Sequence, residues 1–276
     1  MGKVLKNIHA FLIFALTVAI VIFRIHQIVN YTNTSGEIIK GAESTIIIFW
    51  VLFALTLLLI VFNALRAKGA KNPLTGKSSP LGVTALLSAV AMFFEFVFRV
   101  ITTFNYVTTN SYIALNRLIP LILVAVAALV SAFYFVVVAI SFFSPNYSFL
   151  ELKYFHFAPL LWVVFAIITC LTENISIVYD EENVLCYVAL IFAAAFFALF
   201  ILAVDGKDEN ERALKFLALF SALYGATVAV LFLPRLVAFA LGSDFGYTSF
   251  STVPFFFTGV FAMQISVNVF SQRGKG

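Results

Sequence analysis

Residues 92–100 read MFFEFVFRV, with a carboxylate, Glu95, and a guanidinium, Arg99, one helical turn apart in an otherwise apolar run. ALLSAVA precedes the run and ITTF follows it, so the apolar stretch is too long for a strand and reads as a membrane helix over about 81–104. A charge near the centre of such a helix costs about 2.5–3.5 kcal/mol on insertion scales, so both side chains are expected to turn away from lipid. Acid before base at i and i+4 is also the favourable order for a pair within one helix, which offers a structural reason for the chain to tolerate it.

The rest of the chain supports this reading. Of its 276 residues 63% are hydrophobic and 11% charged, against about 25% charged in soluble domains. Mean hydropathy is +1.07. Phenylalanine alone accounts for 34 residues, more apolar surface than one aqueous core could hide, so lipid must solvate much of it. The composition excludes a soluble fold and predicts an all-α, polytopic integral membrane helical bundle, a single domain over residues 1–276, residing in a plasma or bacterial inner membrane. The net charge of +4 does not point to nucleic acid, because the basic residues fall in short connections between apolar runs and act as orientation signals.

Runs of about 20 apolar residues predict eight transmembrane helices at about 8–29, 44–66, 81–104, 114–143, 157–178, 184–204, 213–241 and 253–271. Breakers such as KNPLTGKSSP, SPNYS, DGKDENER and GSDFGYTS separate them. With the N-terminus inside, the cytoplasmic segments hold Lys3, Lys6, Arg66, Lys68, Lys71, Lys77, Lys153, Lys207, Arg212, Lys215, Arg273 and Lys275, whereas the outer segments hold Lys40. That asymmetry predicts both termini, and the loop 67–80, on the cytoplasmic side. The first apolar run is too long for a signal peptide and has no small-residue cleavage site, so it is expected to be a retained span. Arginines on spans three and seven hint at duplication, but no sequence repeat accompanies them.

In this threading every ionisable side chain within a span falls in the outer half: Arg24 and His26 on span one, Glu95 and Arg99 on span three, Arg117 at the start of span four, Glu173 at the end of span five, and Arg235 late in span seven, just after Pro234. Ser88, Glu95, Arg99 and Thr102 share one helical face, as do Ser221, Tyr224 and Arg235, and Thr169 and Glu173. Convergence of Glu95, Arg99, Arg117, Glu173 and Arg235 would leave an excess of positive charge facing outward, suited to an anionic small molecule because guanidinium groups bind carboxylate or phosphate in bidentate fashion. Snorkelling to headgroups is the alternative for Arg24, His26 and Arg117.

Weaker polar signals, Thr56 with Asn63 and Gln264 with Asn268, are expected to bond neighbouring helices. The aromatic excess is expected to face lipid for the most part, with Tyr31, Trp50, Tyr106, Tyr112 and Tyr179 as interface anchors. Sequons occur at Asn30, Asn33 and Asn174. Cys170 and Cys186 have no metal or redox spacing and are expected to be free thiols. His9, His26 and His156 lie at opposite ends of the topology, and no nucleotide, hydrolase or metalloprotease motif is present, so neither cofactor nor metal is expected. Two functions are compatible with the sequence: a small transporter or ligand-sensing protein with an outward-facing anion pocket, or a noncatalytic membrane assembly subunit whose buried charges serve helix packing and partner contact.

Overall fold

Apolar runs with few breakers satisfy their backbone hydrogen bonds most simply as helices in lipid, and helices are what form. A computed structural model describes residues 2–31, 41–65, 72, 74, 76–110, 114–144, 148–173, 181–205, 211–240 and 252–271. Among these are eight α-helices: α1 (Gly2–Tyr31), α2 (Glu43–Leu65), α3 (Ser79–Thr109), α4 (Leu115–Phe143), α5 (Ala158–Glu173), α6 (Glu181–Asp205), α7 (Glu211–Ala240) and α8 (Thr252–Ser271). Seven are long and apolar enough to cross a membrane, whereas the apolar part of α8, Val253–Val269, is shorter.

Helix bounds among the described residues differ from the sequence reading by up to about six residues, with α1 starting at Gly2 and α5 running to Glu173. α3 runs past residue 104 to Thr109 because its polar end is locally bonded, with the Thr108 and Thr109 hydroxyls donating to the carbonyls of Phe104 and Asn105 at 3.0 and 2.6 Å. Glu95 therefore lies near the midpoint of α3, deeper than the outer-half placement expected from a helix ending at 104. The Tyr106 hydroxyl then accepts from the Ala114 amide at 3.1 Å and ties the α3–α4 turn. Between α4 and α5 the chain makes two short 3-10 turns, Phe149–Glu151 and Lys153–Phe157. Phe149 and His156 are buried there, so this connection tucks into the bundle. Residues 67–71, 73 and 75 of the loop 67–80, both terminal basic clusters, Lys40, Tyr112, Tyr179, Asn33 and Asn174 lie outside the described residues or have undescribed side chains.

From α3 onward each helix packs on the next, and α8 returns to α3, which closes a ring of six. α1 and α2 pair with each other and dock chiefly on α7. α3 and α4 approach through small residues, Ala85, Ser88 and Ala89 on one and Ala128, Ser131 and Ala132 on the other, all buried. Small side chains let backbones come close where no hydrophobic force distinguishes helix from lipid. The α7–α8 crossing is tighter still: a β-carbon on Gly225 would stand 3.0 Å from the Gly259 carbonyl oxygen.

Aromatic rings fill the middle of the ring of helices. Phe135 of α4 meets Phe261 of α8 at 5.5 Å and Phe197 of α6 at 6.3 Å, Phe196 of α6 stacks on Tyr224 of α7 at 6.0 Å, and Trp162 of α5 lies 4.6 Å from Phe255 of α8. Other rings stay outside, Phe14, Phe62, Phe93, Phe94, Phe104 and Phe133 among them, so the aromatic excess is divided between the bundle interior and its exposed surface. Hydropathy registers these rings as apolar and is blind to whether lipid or protein surrounds them.

Candidate functional site

The helical spacing on α3 places the charged pair inward. Ser88, Met92, Glu95 and Arg99 are all buried, on the face by which α3 meets α4 and α8. Arg99 Nε donates to Glu95 Oε1 at 2.8 Å. Glu95 is 2% exposed and Arg99 8%, so this charge-assisted bond operates largely without water, where electrostatic attraction is strong but each ion has surrendered its hydration.

The other charged residues expected at this site do not all join the pair. Arg117 is exposed in the first turn of α4, outside the buried cluster, because its position at the helix start lets a long side chain reach polar surroundings. Arg235 is half-buried in α7, which continues through Pro234 to Ala240. Glu173 closes α5, and its side chain lies outside the described residues.

Arg24, by contrast, is buried rather than snorkelled. Its Nη1 donates to Gln27 Oε1, and its guanidinium carbon lies 4.9 Å from the Phe49 ring centre. Gln27 Nε2 continues to Thr45 Oγ1 at 3.1 Å, and Thr45 Oγ1 donates to the Ala42 carbonyl at 2.6 Å. This chain stitches α1 to α2 through one cation–π contact and a sequence of hydrogen bonds. His26, two residues on from Arg24, is exposed.

A second polar cluster was not legible in the sequence. The Tyr134 hydroxyl lies 3.0 Å from His156 Nδ1, with both residues buried and Phe149 against the imidazole. Tyr224 bonds Thr258 at 2.7 Å across the α7–α8 crossing. Gln264 donates to Asn268 at 3.2 Å within α8. Cys170 and Cys186 form no disulfide and are half-buried. Among the described residues no three His, Cys, Asp or Glu side chains gather as metal ligands would.

No family model, curated protein or solved structure matches this chain. The geometry of its own residues is therefore what a functional reading must rest on.

Proposed function

We propose that this multi-pass membrane protein is a noncatalytic helical bundle in which the Glu95–Arg99 pair fixes the packing of α3 against α4 and α8. The carrying observation is the 2.8 Å bond between two buried charges on one helix. A carboxylate and a guanidinium bonded one turn apart offset part of each other's charge inside the membrane. The aromatic filling of the six-helix ring supports the same reading, since it gives the bundle a packed centre.

A second reading has specific support. Arg24 and Arg99 are both buried and Arg235 is half-buried, and guanidinium groups turned away from lipid suit a protein taking up or sensing an anionic small molecule from outside. In that reading Glu95, Arg99, Glu173 and Arg235 line the site, and Arg117 stands at its mouth.

Replacing Arg99 by Met alone leaves a buried carboxylate and is expected to cost about 3–5 kcal/mol, whereas Glu95→Gln with Arg99→Met is expected to cost much less. A thermal-shift screen of carboxylates and phosphates on both proteins separates the readings. Stabilisation of the native protein that disappears in the folded double variant would favour the anion site. No anion-dependent shift, together with strong non-additivity, is the outcome expected of a packing pair.

The eight-span threading with both termini inside belongs to this proposal. Its support is the antiparallel match of α8 to α7 through Tyr224–Thr258 and Phe232–Phe256, and the Asn72 side chain reaching the Ala203 carbonyl at the end of α6. Ser78→Cys should resist an impermeant thiol reagent in intact cells and react after permeabilisation. Labelling of intact cells would reverse the orientation.

A further inference from the structure

α2 ends where α7 begins, and Ala64 packs there in one apolar cluster with Leu219. A crevice of about 170 Å³ opens between them, walled by Ala64, Leu65, Phe216 and Leu219 and edged by Arg212 and Lys215. On α7 the positions 212, 215, 216 and 219 fall on one helical face, so the two cations sit beside the apolar wall. Lys215 is already paired with Glu211 at 2.9 Å. Arg212 is exposed and has no hydrogen bond or ion pair among the described residues. It stands in the first turn of a 30-residue helix, where backbone N–H groups and the positive end of the helix dipole favour an anion.

The described surface beside the crevice is apolar. Phe62, Leu65 and Phe216 are all exposed beside it. A small inorganic anion would use Arg212 and leave this wall unused, and a lipid without net charge would use the wall and leave Arg212 uncompensated. An amphiphile with an anionic head uses both. We infer that the α2–α7 crevice is a binding site for an anionic phospholipid, its phosphate on Arg212 at the start of α7 and an acyl chain along Leu65, Phe216 and Phe62. Glu211 offsets Lys215, so among the described residues lining the crevice Arg212 is the cation whose replacement tests charge recognition. The site is independent of the role given to Glu95 and Arg99, and the Lys/Arg asymmetry assigns it to the cytoplasmic leaflet.

The test uses the full chain in mixed micelles of phosphatidylcholine and phosphatidylglycerol, with bound lipid counted by native mass spectrometry. Phosphatidylglycerol should be retained in preference, and Arg212→Gln should lower that preference about fivefold, the factor for one surface cation, while Arg212→Lys keeps it. Ala64→Leu, which fills the crevice without changing charge, should lower it as well, with a retained helical circular dichroism spectrum and a cooperative melting transition confirming the fold of each variant. Millimolar sodium phosphate at constant ionic strength should not displace the lipid. An unchanged preference in Arg212→Gln overturns the inference. So does loss in Arg212→Gln with none in Ala64→Leu, or displacement by phosphate, either of which would assign a plain surface anion site.

Discussion

α2 and α7 touch one another and are both apolar enough to cross a membrane, yet 22% of the membrane-length window of α2 is buried against 78% of that of α7. The more buried helix is the less uniformly apolar. α7 carries Ser221, Ala222, Gly225, Ala226 and Thr227, all buried, whereas α2 presents Ile47, Ile48, Leu55 and Leu58 to its surroundings. In water the larger apolar side chains would mark the interior. In lipid they are equally content outside, and small or weakly polar residues that permit close backbone approach mark the interior instead. α7 is the hub of the bundle, touching α1, α2, α6 and α8, because its surface offers grooves where α2 offers bulk.

The contrast can be broken by truncating one leucine on each helix. Leu217→Ala on α7, where the side chain is fully buried, should cost about 2–5 kcal/mol of unfolding free energy in detergent by opening a cavity. Leu58→Ala on α2, where the side chain is 63% exposed, should change stability by no more than about 0.5 kcal/mol. Equal losses would mean that α2 is covered by a partner or a second copy.

Enlarging a residue sharpens the same comparison. Gly225→Leu must displace the Gly259 carbonyl or Met263, and is expected to cost about 1–3 kcal/mol through overpacking. Ala54→Leu on the exposed face of α2 should be silent in the same assay. A silent Gly225→Leu would show that α8 can move away from α7 freely.

The smallest expected effect lies in the α1–α2 hairpin. Arg24→Met removes at least the contact with Phe49 and the bond to Gln27 but leaves Gln27 on Thr45, so it should cost about 1–2 kcal/mol, the order of one cation–π contact and one hydrogen bond. A loss as large as that of Arg99→Met would place Arg24 in a charge network as demanding as the α3 pair.

Much of the fold was legible before any tertiary contact was known. The helices follow the apolar runs to within a few residues, and the i, i+4 spacing of Glu95 and Arg99 was enough to anticipate both their bond and their shared inward face. The misses have a common cause. Arg117 and Arg24 occupy similar predicted positions near helix ends, yet one is exposed and the other lies over Phe49. The difference depends on whether a neighbouring helix covers that position. His156 was equally opaque, since its burial against Tyr134 arises from a connection that folds inward between α4 and α5.

Taken alone, the sequence determines what is local: a membrane-embedded all-helical chain, the extent of most of its helices, and an ion pair that one helical turn brings together. Those properties follow from backbone hydrogen bonding in lipid and from 3.6-residue periodicity, and neither requires a neighbour. Tertiary structure decided the six-helix ring, its aromatic centre, the outlying α1–α2 hairpin and the exposure of Arg117 beside the burial of Arg24. The physical reason is that lipid and protein interior are nearly equivalent solvents for an apolar side chain, so a hydropathy pattern that sorts inside from outside in water loses that power in a membrane. Close packing between particular helices supplies the missing distinction.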